Sequence, residues 1–370
     1  MPLRHLTVLL YLYLNNCICV SWSGVNSESF IASNGVKQGG VLSPVLFCIY
    51  MDELLARLSR AGFGCYIGGT FVGAFAYADD VVLIAPTPYA MRGMLCICDQ
   101  FSVDYDVSFN ASKSKCMYFH SRRDNTCSLF KYSCDNITFT INGYVMEFVK
   151  SYKHLGHIIN CDLNDNDDIA EKRISFICQT NNLLCYFSKL SSSVKYRLFT
   201  YFCNSYFGCE LWRTDNDNIE SLCAAWRRAL RRIWALPYDA HSFILPILCN
   251  CLPLIDVICK RIINFSCRCL SDDSSLLVRT IVFHALVYGR SLSPLGISLM
   301  SCCRRYCCSI SDLLANRFCV SRSTSTEDQL ICDVLKELIG LRDGFLVFSS
   351  CDQFLHRDEL SDLIKYICTM

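Results

Sequence analysis

The residues best suited to chemistry are two adjacent carboxylates, Asp79 and Asp80. They lie between Phe75-Ala76-Tyr77-Ala78 and the apolar run Val81-Val82-Leu83-Ile84. Side-by-side acids repel each other, and strands disfavour Asp. A divalent cation would neutralise such a pair, and Mg²⁺ takes hard oxygen ligands while keeping several waters. Taken alone, the pair is equally well read as a turn on a solvated loop. Its company changes the balance: the glycine-bearing string Asn34-Gly35-Val36-Lys37-Gln38-Gly39-Gly40-Val41-Leu42-Ser43-Pro44 lies upstream of it. A second grouping is Trp226-Arg227-Arg228-Ala229-Leu230-Arg231-Arg232-Ile233-Trp234. At about 100° per residue, Trp226, Leu230, Ile233 and Trp234 share one helix face and the four arginines the other. Arginines so arrayed can contact phosphates in a salt-dependent way. They can as well form a solvated face paired with acids elsewhere, and the residues leave both readings open.

Taken in order, these strings resemble the reverse transcriptases of non-LTR (LINE-type) retrotransposons. The string around Lys37–Ser43 is similar to that family's template- and nucleotide-positioning loop, and Tyr77-Ala78-Asp79-Asp80 to its metal site. Phe109-Asn110-Ala111-Ser112-Lys113-Ser114-Lys115 resembles the next palm motif, and Tyr152-Lys153-His154-Leu155-Gly156-His157 the primer-grip strand. Residues 170–213, ending in Tyr206-Phe207-Gly208-Cys209-Glu210-Leu211-Trp212, resemble the helical thumb, and residues 220–296 the helical region that follows it. The resemblance implies RNA-directed DNA synthesis on an RNA template and a DNA primer, by two-metal catalysis with Mg²⁺. It makes Asp79 the main metal ligand and Asp80 its weaker neighbour. It places Lys37, Gln38, Gly39 and Tyr77 at the nucleotide and template, and Lys113 near the triphosphate as a proton donor to pyrophosphate. It tilts Arg227, Arg228, Arg231 and Arg232 toward nucleic acid. One departure stands out. The family carries a further catalytic aspartate upstream of the positioning loop, whereas residues 1–33 hold Glu28 as their sole acid. The expectation is an N-terminally truncated chain without that aspartate, fingers or endonuclease, inactive by itself; a true start upstream of Met1 is the enzyme-preserving variant.

The elements that must position these groups are legible in outline. Ser43 and Pro44 read as a helix start, with a capping hydroxyl and a proline in the first turn. Leu46, Phe47, Tyr50, Met51, Leu54, Leu55 and Leu58 then recur at helical spacing up to Gly62. Phe63 to Pro86 reads as a β-hairpin with the two aspartates at a buried tip. A helix over Tyr89–Val103 follows, then strands around 107–120, 137–150 and Tyr152–Ile159. From Ile169 onward the chain reads as helix after helix, with Pro237, Pro246, Pro253 and Pro294 as punctuation. The expected fold is α+β: a partial right-hand polymerase palm over 1–160, a helical thumb over 161–235, and an all-α region over 236–370. The acidic stretch Asp162–Asp168 marks the first boundary.

Composition limits the alternatives. The chain has 370 residues, 52% of them hydrophobic and 19% charged, which supports a sizeable core and excludes disorder as the main state. Its net charge of +1 leaves no whole-molecule basic field, so any nucleic-acid surface must be local. The 28 cysteines are scattered in place of Leu, Ala or Val, with no C-x-x-C pair. They read as reduced small hydrophobes, with neither structural zinc nor a disulfide-linked partner. Leu6–Leu14 is almost wholly apolar and resembles the hydrophobic stretch of a secretory signal. Asn15 and Asn16 interrupt it before a membrane span is reached. The reading preferred here is a buried helix over 3–15 followed by a strand over Ile18–Trp22, in a cytoplasmic or nuclear protein without membrane partners. Two other classes stay open. One is a non-catalytic nucleic-acid-binding remnant. The other is a secreted protein, glycosylated at Asn110, Asn136 and Asn264.

Overall fold

The computed structural model describes residues 3–14, 16–32, 35–37, 39–119, 137–271, 274–287, 292–306 and 309–310. Gln38, Asn136 and the expected helical continuation over 311–370 lie outside them. The fold is mixed α+β. Its α-helices among the described residues are α1 (Leu3–Leu14), α2 (Ser43–Arg60), α3 (Pro88–Tyr105), α4 (Asn166–Tyr186), α5 (Ser192–Phe202), α6 (Asp217–Ile233), α7 (Ile244–Cys249), α8 (Leu254–Leu270), α9 (Leu276–Val287) and α10 (Pro294–Tyr306). The strands among the described residues form two-stranded ribbons. The chain divides into two compact units, residues 1–109 with 140–144, and 110–139 with 145–370.

The first unit is built on α2 and α3. Met51, Leu54 and Leu58 of α2 are buried with Met94, Leu95, Cys98 and Phe101 of α3, at the spacing that puts one stripe of each helix inward. Thr87 starts α3: its Oγ1 accepts a hydrogen bond from Ala90 N at 3.2 Å, and Pro88 occupies the first turn. The strand Ala74–Tyr77 packs on α2 and pairs antiparallel with Asp80–Leu83. Three expectations are corrected in this unit. Helix α1 forms, but it is not buried: Leu6, Val8, Leu10, Tyr11, Leu12 and Leu14 are all exposed. Its apolar residues run round the whole cylinder instead of forming one stripe that a neighbour could cover. The strand over Ile18–Trp22 breaks into Cys17–Ile18 and Ser21–Trp22, which pair with Phe30–Ile31 and Val25–Asn26 across a turn at Ser23-Gly24. Both turn residues have positive φ, as a tight hairpin turn requires. The Asp79-Asp80 tip is exposed, not buried.

The second unit contains the larger core. Trp212, Trp234, Tyr206, Phe199, Leu222, Leu230 and Ile233 are fully buried, together with Ile258, Ile262 and Cys302 from α8 and α10. Cysteines do fill this core: Cys203, Cys209, Cys223, Cys249, Cys259, Cys269, Cys302 and Cys303 are buried free thiols. The sequence expected long strands between 107 and 159; the structure divides them. Lys115–Cys116 pairs in parallel with Glu147–Phe148. Thr140–Ile141 of the first unit ends in a turn at Asn142-Gly143, both at positive φ. The single strand expected over Tyr152–Ile159 is instead a hairpin, Ser151–His154 against His157–Asn160, because Leu155 and Gly156 both take positive φ and reverse the chain.

Candidate active site

In the first unit the glycine-bearing loop before α2 is fastened to that helix. Ser43 is buried, and its hydroxyl does not cap the helix as expected. Leu42, the residue before it, already has helical dihedrals, so the capping geometry is absent. The hydroxyl donates instead to the Lys37 carbonyl at 2.5 Å. Gly40 N also donates to Lys37 O, at 3.0 Å, and Ser43 N to Gly40 O, at 3.1 Å. A Cβ on Gly40 would stand 2.6 Å from Ser43 Oγ and 3.1 Å from Lys37 O, so the loop closes only around a glycine. Gly39 has a φ of +78°, and Lys37 and Gly39 are exposed.

The hairpin follows from its sequence. Phe75 and Ala76 pair with Val82 and Val81, and Tyr77 lies opposite Asp80. Ala78 and Asp79 form the turn, with Ala78 at a φ of +52°. Asp79 and Asp80 are exposed, and among the described residues neither has a cationic partner; Tyr77 is 68% exposed. Two adjacent, unpaired, solvated carboxylates fit a hard cation that keeps part of its water shell. Among the described residues no third His, Cys, Asp or Glu joins them in a metal-binding group.

Lys113 belongs to the second unit, where the Asn110 side chain presents it. Asn110 Oδ1 accepts from Ser112 N at 3.1 Å, Ser112 Oγ at 2.7 Å and Lys113 N at 3.2 Å. This self-bonded asparagine turn holds Lys113 exposed at its end. Tyr152 Oη donates to the Lys113 carbonyl at 3.4 Å, tying the turn to the 151–160 hairpin.

Helix α6 carries the four arginines on the face opposite Trp226, Leu230 and Ile233, as the periodicity expects. Their surroundings differ. Arg227 pairs with Glu220. Arg231 donates to Ala240 O at 3.1 and 2.7 Å and to Ser242 Oγ at 3.0 Å, closing the chain that leaves α6. Burial and the neighbouring Arg227 and Arg228 hold its guanidinium below the ordinary value. Arg232 donates to Asn181 Oδ1 of α4 at 2.5 Å. Arg228 is exposed and has no carboxylate or carbonyl partner among the described residues.

One cluster went unremarked in the sequence. Asp168, in the first turn of α4, is fully buried. Its Oδ1 accepts from Ile158 N at 3.0 Å and its Oδ2 from Trp212 Nε1 at 2.7 Å, while His157 Nδ1 lies 3.1 Å from Oδ2. Burial opposes its charge, but His157 and the two N–H donors outweigh that and hold the carboxyl below its usual range. The neighbouring Asp165 behaves oppositely: burial raises it, although it accepts from Arg213 N at 2.8 Å.

Residues 2–159 match the reverse transcriptase (RNA-dependent DNA polymerase) family. The chain is 43% identical over 72 residues to the Pol polyprotein of the type-2 retrotransposable element R2DM of Drosophila melanogaster, covering 20% of this chain and 7% of that protein. It is 32% identical over 95 residues to the Pol polyprotein of the type-1 element R2 of Nasonia vitripennis, covering 26% and 9%. It is 27% identical over 190 residues to the RNA-directed DNA polymerase of the mobile element jockey of Drosophila funebris, covering 49% and 19%. The chain therefore matches less than a fifth of the length of each of these relatives. Residues 2–159 are thus similar to the reverse-transcriptase domain of the Pol proteins of retrotransposable elements. Among the described residues no helix is long and apolar enough to cross a membrane.

Proposed function

We propose that residues 1–160 are a partial polymerase palm, 161–235 its thumb and 236–370 a helical continuation, serving RNA-directed DNA synthesis on an RNA template and a DNA primer. The observation that carries this reading is the exposed Asp79-Asp80 pair at a hairpin tip, without a cationic partner among the described residues, in a segment that matches the polymerase family. Asp79 and Asp80 would hold Mg²⁺, which when bound promotes attack by the primer 3′ hydroxyl and stabilises the leaving pyrophosphate. The chain's own groups do the rest. Lys37, Gln38, Gly39 and Tyr77 orient the nucleotide on its template, and Gly39 lets the backbone approach closely. Lys113, held out by the Asn110 turn, gives a proton to pyrophosphate. The α6 face contacts phosphates, with Arg228 and Arg232 as its outward members. The setting is cytoplasmic or nuclear.

By themselves these 370 residues are read as inert in synthesis, because the family's further aspartate has no counterpart in residues 1–33. Loss of a metal ligand removes transition-state stabilisation at about 1.4 kcal/mol per tenfold in rate. Two assays test the reading. Primer extension by the purified chain should give no product; product that vanishes with Asp79→Asn would overturn the inertness. Mg²⁺ should tighten binding of an RNA–DNA duplex plus deoxynucleoside triphosphate, and Asp79→Asn should remove that increment. An increment that survives both Asp79→Asn and Asp80→Asn refutes the metal assignment. The second reading, a non-catalytic nucleic-acid binder, is favoured by the exposed Arg228, which has no carboxylate partner among the described residues; it expects salt-sensitive binding indifferent to Mg²⁺ and to Asp79→Asn.

A further inference from the structure

The 151–160 hairpin is short, two-stranded and closed by a Leu155-Gly156 turn. An isolated ribbon of this size is marginal in water, so its orientation must come from what it leans on. Four ties converge at its turn. Asp168 of α4 accepts from Ile158 N, from Trp212 Nε1 and faces His157 Nδ1, at 3.0, 2.7 and 3.1 Å. Lys172, one helical turn further along α4, donates to Gly156 O at 2.6 Å. Gly208 lies so close that a Cβ there would stand 3.0 Å from His157 Nδ1. The charged and titratable groups facing the carboxylate are thus His157 from the hairpin, Lys172 from α4 and Asp165 at the N-cap of that helix.

A fully buried carboxylate is a costly way to fill space, and a well-packed apolar residue serves stability as well or better. What a carboxylate adds is direction. Its oxygens fix the Ile158 amide and the Trp212 indole at once, so the strand, the helix and the 206–212 segment share one register. We propose that Asp168, with Trp212 as its indole partner, is the positioning residue of this hairpin. It locks the Leu155-Gly156 turn to α4 and presents the exposed Leu155 side chain in a fixed place. That this turn touches the primer strand rests on the function proposed above; the locking itself does not.

The test uses the full 370-residue chain and two readouts: amide hydrogen exchange by peptide, and anisotropy of a labelled RNA–DNA duplex with a recessed DNA 3′ end. Asp168→Asn keeps the shape but turns one acceptor into a donor, and Trp212→Phe removes the indole N–H. In both, exchange in the 151–160 peptide should rise about tenfold or more while the 254–270 peptide is unchanged. Duplex affinity should fall by a similar factor. Leu155→Ala should leave exchange unchanged and weaken duplex binding. If Leu155→Ala binds normally while Asp168→Asn loosens the hairpin, the positioning role stands and the primer-contact reading fails. If both variants fold and the 151–160 peptide stays protected, the positioning role is overturned. Should Asp168→Asn unfold the chain, Trp212→Phe decides. Equal loss of protection across 151–160 and 254–270 in that variant assigns Asp168 to the whole core and overturns the proposal.

Discussion

The four arginines of α6 look alike in sequence, but their surroundings separate them, and mutating them one at a time tests whether that separation matters. Arg231→Ala removes three hydrogen bonds, two to Ala240 O and one to Ser242 Oγ. Bonds from a charged donor contribute about 1.5–3 kcal/mol, and partial exposure of this side chain argues for the lower half of that range. A loss of about 2 kcal/mol lowers the melting temperature of a chain this size by roughly 2–4 °C. Arg228→Ala removes no such bond and should leave stability within about 0.5 kcal/mol. On the function proposed above, its effect falls on nucleic-acid binding. Each phosphate contact contributes about 0.9 to the slope of log affinity against log salt on duplex DNA, so a fourfold rise in salt weakens binding by about 3.5-fold per contact. Arg228→Ala should therefore flatten the slope by about one, measured by anisotropy from 50 to 200 mM salt. Arg231→Ala should leave the slope of the folded fraction unchanged. If Arg231→Ala flattens the slope without destabilising the chain, or Arg228→Ala destabilises without flattening it, the division drawn from their partners is wrong.

Gly40→Ala forces a Cβ to 2.6 Å from Ser43 Oγ; it should break the bond to Lys37 O and lower stability by about 1–3 kcal/mol in urea unfolding. Burial pushes the Cys98 and Cys209 thiols up to about 12, so both should resist a thiol reagent at pH 8 until the chain unfolds, while the exposed Cys17, Cys19 and Cys48 react at once. The Asp168 carboxyl is held below its unfolded value of about 3.9, so its stabilisation is complete above that pH and fades as pH falls through the folded value. Asp165, raised in the fold, contributes in the opposite sense, destabilising once pH exceeds its unfolded value. Acid titrations followed by Trp emission should thus show a shallower low-pH loss in Asp168→Asn, and a steeper decline above pH 4 in the wild-type chain than in Asp165→Asn.

The parts of the fold that sequence made legible are those whose cause is local. Met51, Leu54 and Leu58 recur at helical spacing and are buried on α2; Trp226, Leu230 and Ile233 do the same on α6. The Phe75–Leu83 hairpin follows from β-branched and aromatic residues flanking a short polar turn. The misreadings also have local causes, but subtler ones. Leu155 takes a left-handed conformation that a β-region residue rarely adopts, so a strand expected over Tyr152–Ile159 folds back on itself. Ser43 sits in the capping position by sequence, yet its hydroxyl finds Lys37 O, which the one-dimensional pattern does not reveal as a competing acceptor.

What could not be read is long-range polar geometry. An Asp in the first turn of a helix following Asp162–Asp167 looks like one more acid complementing the helix dipole. Nothing in the string distinguishes Asp168 from Asp167, although one is fully buried and the other lines an open groove. The distinction arises only because Trp212, 44 residues later, brings its indole N–H to 2.7 Å, and the hairpin brings Ile158 N to 3.0 Å from the other oxygen. The same logic applies to Lys113. Its role came from resemblance, but its presentation comes from Asn110, whose side chain bonds three donors within its own turn. Chemistry-bearing residues announce themselves by type, while the residues that aim them are ordinary by type and become distinct only through their partners. Asn110 and Asp168 are therefore the positions where substitution should alter nucleic-acid handling without removing any group that touches it.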